Sequence, residues 1–401
     1  MDFRFTKEEE AFRAEVACFI EGNMPRTSRM PVIWAAEDTY STDELWALNK
    51  VMARKLAQKG WLNRSWPKEY GGQQASGISE FILIEELAYH GAPGKDPIGL
   101  GMLAPALIHF GSDAQKKEHL AALAQGERFW CEGLSEPNSG SDLASLTTRA
   151  VEQGDYFIIN GQKVWTTGAH RADWCFVLAR TDPNVPKHKG LSLILVDMRT
   201  PGIHANPLLG ISGGRSLNEV FFNDVKVPRS NLVGEKNQGW LLANNILTSE
   251  RSLLIELVAI TRRLVDMLAG YLRDEGSRVA AATRRRLSHK LAEVFIEGEV
   301  ARWLTYRLAL LQDKGKDSHT EAAMSKLFSS EVLQHAASVG MEVTGLFGLL
   351  KEESKWSALH GVAGHWYLSC LGTTIFGGTS EIQRNIIAIR GLGLPREQKA
   401  G

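Results

Sequence analysis

The chain has no surplus of charge of either sign. Its 46 basic and 46 acidic side chains cancel over 401 residues, whereas a protein held to nucleic-acid phosphates normally carries a basic excess. Nucleic-acid binding is therefore disfavoured. Cysteine is scarce as well. Cys18, Cys131, Cys175 and Cys370 stand far apart and form no C-x-x-C pair, so neither a disulfide framework nor a metal site is expected. The thiols read as reduced and the location as cytoplasmic. No run of eighteen or more apolar residues occurs, so no membrane span is expected. The opening MDFRFTKEEE places acids where a secretory leader needs a basic region and an apolar run. Internal repeats and low-complexity segments are missing too. What is left is an ordinary globular composition, 44% hydrophobic and 23% charged, in a chain long enough for two or three domains.

The stretch Cys131 to Ser145, CEGLSEPNSGSDLAS, gathers turn-forming polar residues between apolar neighbours. Pro137 fixes one φ angle, while Gly140 permits a close backbone approach that a side chain would block. A loop of this kind offers hydroxyls and free backbone N–H groups to a flat heteroaromatic ligand with several acceptors. Taken alone, such a cluster reads as a solvent loop. Two further segments change that reading: Val164-Trp165-Thr166-Thr167-Gly168, and Phe376-Gly377-Gly378-Thr379-Ser380-Glu381-Ile382-Gln383-Arg384 near the C-terminus.

Around these segments the hydrophobic period changes twice. Thr6 followed by Glu9 fits a helix capping box, and Phe12, Val16 and Phe19 continue an amphipathic stripe. A second helix is expected from Ser79 to Tyr89. Gly99-Leu100-Gly101-Met102-Leu103-Ala104 matches a dinucleotide fingerprint in form only, because no strand precedes it; helix packing through small residues is the expectation. Strand-like runs follow at Tyr156–Ile159, Gln162–Trp165, Trp174–Arg180, Leu191–Val196 and Asn218–Phe222. Asn160-Gly161 is expected to turn a hairpin, and Asn223-Asp224 a second turn. Helical patterns return at 240–273, 283–312 and 318–345. The fold expected is α+β: an N-terminal α-helical domain over 1–130, a middle antiparallel β-barrel or sandwich over 131–233, and a C-terminal four-helix bundle over 234–401. Arg284-Arg285-Arg286 reads as a solvated helix face.

The three segments together resemble the acyl-CoA dehydrogenase family of FAD enzymes. That family carries a (T/S)-E-P-x-x-G-S-D loop, a W-x-T segment about thirty residues later and a terminal G-T-x-x-(I/L)-Q-R, all present here in order. The resemblance spans essentially the whole chain. It implies α,β-dehydrogenation of an acyl-CoA thioester: a carboxylate removes the α-proton, and the β-hydrogen leaves as hydride to FAD. The developing enolate oxygen then needs hydrogen-bond donors. Electrons are expected to pass to an electron-transfer flavoprotein. A flavin oxidase of the same fold is one alternative; a non-catalytic subunit of a heterotetramer is another. The assembly implied is a homotetramer or an α2β2 heterotetramer.

Most members place the base directly before the terminal G-T, where this chain has Gly377. A minority branch typified by isovaleryl-CoA dehydrogenase carries it on a long helix before an Arg, a place filled here by Ser249-Glu250-Arg251. Glu250 also sits on the stripe Ile246, Leu253, Leu257, Ile260, Leu264 and Leu268, where a carboxylate would be desolvated and its pKa raised. The resemblance therefore assigns Glu250 as base and Arg251, Gly377 and Ser141 as substrate-binding positions. It puts Leu134, Ser135, Gly140, Ser141, Trp165, Thr167, Thr379 and Glu381 against the cofactor. The family's Q-x-x-G-G-x-G is replaced here by Glu342-Val343-Thr344-Gly345-Leu346-Phe347-Gly348. The missing side chain at 377 suggests an acyl group that is branched or cyclic near the reacting carbons.

Overall fold

The computed structural model describes residues 4–24, 36–250, 254–274 and 280–395, with side chains at 36–37 and 248–250 outside that description. The longer helices before the sheet are α1 (Lys7–Asn23), α2 (Asp43–Gln58) and α3 (Gly77–His90), followed by short helical segments between 97 and 124. Eight strands follow: β1 (Trp130–Gly133), β2 (Arg149–Gln153), β3 (Tyr156–Thr167), β4 (Trp174–Arg180), β5 (Leu191–Asp197), β6 (Ile203–Pro207), β7 (Leu217–Pro228) and β8 (Leu232–Val233). Helices then resume as α4 (Gly239–Glu250), α5 (Leu254–Asp274), α6 (Ala281–Asp313), α7 (His319–Thr344), α8 (Val362–Ser369) and α9 (Ser380–Ile386). The expected α, β, α order is present. The chain forms two interleaved compact units: Met1–Met24, Ser76–His90 and Arg251–Gly401 make one, Pro25–Ala75 and Gly91–Glu250 the other.

The second unit is built on one eight-stranded sheet in the order β6-β7-β3-β2-β4-β5-β8, with β1 beside β4. Most neighbours are antiparallel, but β1 and β2 each pair parallel to β4. Phe157, Ile159, Cys175, Val177, Ile194, Val196, Val220 and Phe222 fill its main core. β5 is buried on both faces from Leu191 to Val196, which explains its continuous apolar run rather than an alternating one.

The Asn160-Gly161 hairpin is not there. β3 runs unbroken through both residues, and Asn223-Asp224 likewise lies inside β7. The two β7 residues form a bulge opposite Asn160, whose amide donates to Asp224 Oδ1 (2.9 Å) and accepts from Asp224 N (2.9 Å). Gly161 serves close packing instead of a turn: a Cβ there would come within 2.4 Å of Thr148 Oγ1. The hairpin turn is the two-residue Gly154-Asp155 between Gln153 and Tyr156, with Gly154 at φ +58°. The fingerprint-like Gly99–Leu103 sits in a π-helical segment, and a Cβ on Gly99 would come within 2.4 Å of Asp96 Oδ2 and 2.6 Å of Leu123 Cδ2.

In the first unit the Thr6 capping box forms as read, with Thr6 Oγ1 accepting from Glu9 N and Glu9 Oε2 from Thr6 N. Helices α5, α6 and α7 pack on one another, and α8 and α9 lie against α7. α1 and α3 are tied to α6 through Glu85, which is 1% exposed. Its carboxylate accepts from Arg302 Nε (2.5 Å), Arg13 Nη2 (2.8 Å) and the Tyr306 hydroxyl (2.7 Å). Burial opposes the charge on Glu85, but the two guanidiniums and the phenol outweigh it and lower its pKa. Among the described residues no helix is long and apolar enough to cross a membrane.

Candidate functional site

β1 ends at Gly133 and delivers the polar loop. Leu134 is buried and Ser135 half-buried, while Gly140, Ser141 and Asp142 are exposed. Reciprocal Glu136 N to Ser139 O and Ser139 N to Glu136 O bonds (3.1 and 3.0 Å) close a turn over Pro137-Asn138. Further on, Asp142 accepts from Lys187 Nζ and the Ser145 hydroxyl. The loop thus keeps its small residues at the surface while its two ends are pinned.

The pin at the near end is a buried ion pair. Lys163 on β3 is 0% exposed; its ammonium donates to Glu136 Oε1 (3.0 Å) and to the Leu134 carbonyl (2.9 Å). Glu136 also accepts from Thr148 N (2.8 Å), Thr147 N (2.7 Å) and the Thr147 hydroxyl (2.8 Å). Burial opposes the Glu136 charge, yet Lys163 and the threonine donors outweigh it and hold the pKa down to about 2. Lys163 has only the one carboxylate against complete burial, so burial wins there and draws its pKa down to about 8.

At the residue after Lys163, β3 meets the loop again. Val164 N donates to the Ser135 carbonyl (2.9 Å), joining the first two sequence segments directly. Opposite β7 the register slips by one residue between Lys163 and Thr166. Bulges of this kind re-aim a side chain. Here Trp165 takes φ +62° and turns its indole outward, 59% exposed. Thr167 is half-buried and pairs with Leu217. Below the bulge, Thr166 is buried with a hydroxyl that has no partner, and its carbonyl accepts from Asn218 Nδ2 (2.9 Å). Gly168 closes the segment at φ +66°, where a Cβ would lie 2.5 Å from the Tyr40 ring.

The terminal segment belongs to the other unit. Gly377 and Gly378 both have left-handed backbones, at φ +61° and +90°. Thr379 then caps α9, its hydroxyl accepting from Ile382 N (3.2 Å). Glu381 is exposed in the first turn. Glu250 is the last residue of α4 and its side chain lies outside the described residues; Arg251 lies wholly outside them. So one unit unites Leu134, Ser135, Gly140 and Ser141 with Trp165 and Thr167, while Gly377, Thr379 and Glu381 share the second. Glu342 is not free: Arg286 Nη1 (3.2 Å) and Lys290 Nζ (2.5 Å) both hold it from α6. Reading the sequence missed the Glu136–Lys163 pair. Its signal was a Glu inside the loop motif and a Lys on an otherwise apolar strand just before Trp165.

Comparison with known proteins places this arrangement. Three family models match in order: the acyl-CoA dehydrogenase N-terminal domain over 6–127, middle domain over 131–225 and C-terminal domain over 237–392. The chain is 34% identical to acyl-CoA dehydrogenase IpdE1 of Mycobacterium tuberculosis, across 98% of this chain and 100% of that one. Among solved structures, the Tcur3481-Tcur3483 steroid ACAD superposes with a TM-score of 0.90 at 31% identity, over 99% of this chain and 100% of that one. The ChsE4-ChsE5 complex from Mycobacterium tuberculosis does so with a TM-score of 0.86 at 30% identity, over 99% and 100%. The chain, with its loop locked to a bulged strand and helices on either side of the sheet in sequence, belongs to the acyl-CoA dehydrogenase family and is an oxidoreductase.

Proposed function

We propose that the protein carries out FAD-dependent α,β-dehydrogenation of an acyl-CoA whose acyl group is branched, cyclic or otherwise bulky. The observation carrying this is the Val164 N–H bond to the Ser135 carbonyl, which sets the exposed Trp165 indole beside the small-residue loop. That ledge fits a flat heteroaromatic ring system: apolar Leu134, hydroxyls on Ser135, Ser141 and Thr167, and open space beside Gly140, where a Cβ would meet nothing within 4 Å. When bound, FAD supplies the acceptor for the β-hydride. Thr379 and Glu381 contribute from the terminal segment.

Glu250 takes the α-proton, and the Gly377 N–H donates to the thioester oxygen as enolate character develops. Arg251 and Ser141 complete the substrate contacts. The missing side chain at 377 leaves space beside the reacting carbons, and a void costs stability unless a ligand fills it; a bulky acyl group supplies that filling. The steroid ACAD among the structural neighbours accords with this choice. Functionally the chain divides at 130 and 233 into 1–130, 131–233 and 234–401.

Electrons leave to an electron-transfer flavoprotein. The assembly is a homotetramer or an α2β2 heterotetramer, and the loss of the family's Gln and one Gly from the Glu342–Gly348 segment favours a sister chain completing the cofactor site. The test is anaerobic titration of the flavin-loaded protein, alone and with candidate sister chains, with branched, cyclic, steroidal and straight-chain acyl-CoAs. Bleaching of the flavin band by a bulky acyl-CoA is expected. No bleaching by any of them would refute the activity; a tenfold preference in kcat/KM for butyryl- or octanoyl-CoA would refute the substrate class.

A further inference from the structure

The Gly377-Gly378 turn is held from behind by a side chain that takes no part in the chemistry proposed above. Gln383 on α9 is completely buried. Its Nε2 donates to both turn carbonyls, Gly377 O at 2.9 Å and Gly378 O at 3.3 Å. The fit is close: a Cβ on residue 378 would stand 2.6 Å from that same nitrogen. Gln383 is itself fixed, since its N–H bonds to the Thr379 carbonyl (2.9 Å) within the capped first turn of α9. The helix packs against α7, with Arg384 Nη2 and Glu331 Oε1 2.7 Å apart at the solvent-facing edge of the contact. Two successive left-handed residues are a conformation that glycine visits but does not prefer over others, so something must select it. The amide of Gln383 is the group placed to do so.

We propose that Gln383 is a positioning residue: by bonding both carbonyls of the glycine turn it fixes the direction of the Gly377 N–H, the donor assigned to the acyl thioester oxygen. The inference rests on the functional reading for its consequence, but not for the lock itself. Losing the two bonds leaves the glycines free to leave the left-handed region, and the donor then spends most of its time misaimed. A merely structural glutamine would, when replaced, lower thermal stability or flavin content and leave the turnover of the folded fraction intact. A positioning glutamine lowers kcat instead.

The experiment uses the full flavin-loaded chain with Gln383→Met, which keeps length without a donor, and Gln383→Glu, which at neutral pH puts acceptors where the donor was. Backbone amide exchange over 374–384 is followed by mass spectrometry alongside kcat and KM. Expected are exchange in that segment faster by about tenfold or more and a kcat lower by about 10- to 100-fold. KM and flavin content should stay within about twofold of wild type, since the lock acts on the donor's aim rather than on binding. Unchanged exchange in both variants overturns the lock, whether or not any acyl-CoA is a substrate. Faster exchange with unchanged kcat in a folded, flavin-loaded variant overturns the positioning role while leaving the functional reading standing. Absence of turnover in the wild type itself is failure of the functional reading alone, and the exchange result then decides the lock.

Discussion

Lys163→Met gives the sharpest test of how the loop is held. The substitution keeps the length of the side chain and removes the ammonium that bonds Glu136 Oε1 and the Leu134 carbonyl. Glu136 is left buried, 5% exposed, without its counter-charge. Breaking a buried pair from one side costs about 3–5 kcal/mol. Glu136 keeps the two amides and hydroxyl of Thr147 and Thr148, so the low end, about 3 kcal/mol, is expected. Burial alone would raise the Glu136 pKa, yet Lys163 and the threonine donors together hold it down from the ordinary 4.5 to about 2, while burial draws that of Lys163 down to about 8. The sign follows. A depressed carboxyl adds stability that is complete above about pH 4.5 and vanishes as pH falls through about 2. The difference between wild type and variant should therefore be full at pH 7 and shrink on the way to pH 2. Urea unfolding followed by tryptophan fluorescence across that range measures it, together with Glu136→Gln and the double variant. The double variant should be less destabilised than the two singles summed, by about 1–3 kcal/mol. A Lys163→Met protein within about 0.5 kcal/mol of wild type, or strictly additive singles, would refute the argument.

Three further outcomes are expected. Glu250→Gln should retain flavin and acyl-CoA binding while stopped-flow reduction by substrate slows by about 10²–10⁴-fold; near-normal reduction removes Glu250 as the base. Ser141→Trp sits at an exposed position, so its unfolding midpoint should barely move while flavin occupancy falls; full occupancy and activity would take the loop away from the cofactor. Gly377→Ala puts a Cβ on a left-handed residue at φ +61° and should cost about 1–2 kcal/mol in denaturant unfolding, a cost that would also weigh on any attempt to place a glutamate there.

The family and the order of its helical and strand-rich regions were legible in the sequence, because each rests on local pattern. The Thr6–Glu9 cap formed as read, since a capping box closes within one helical turn. The helices expected at 283–312 and 318–345 end within a few residues of Ala281–Asp313 and His319–Thr344. Asn160-Gly161 shows where local reading stops. The dipeptide favours a hairpin, but Thr148 packs against Gly161 and β7 bulges opposite Asn160, so long-range pairing overrode the turn propensity. The interleaving of the two units was equally hidden. Glu85 bonds Arg13, 72 residues away, and Arg302, 217 residues away, and no window on the sequence connects them. For the candidate site, sequence supplied the side chains and tertiary structure supplied their aim. Trp165 reads as an aromatic in a strand, more often a core residue than a surface one. Only the extra residue in β3 and the Val164–Ser135 bond turn it outward beside the loop. The physical reason is one of range: capping and periodicity are set by neighbours a few residues apart, whereas register, burial of charge and the direction of an exposed ring are set by whichever distant segment packs against them.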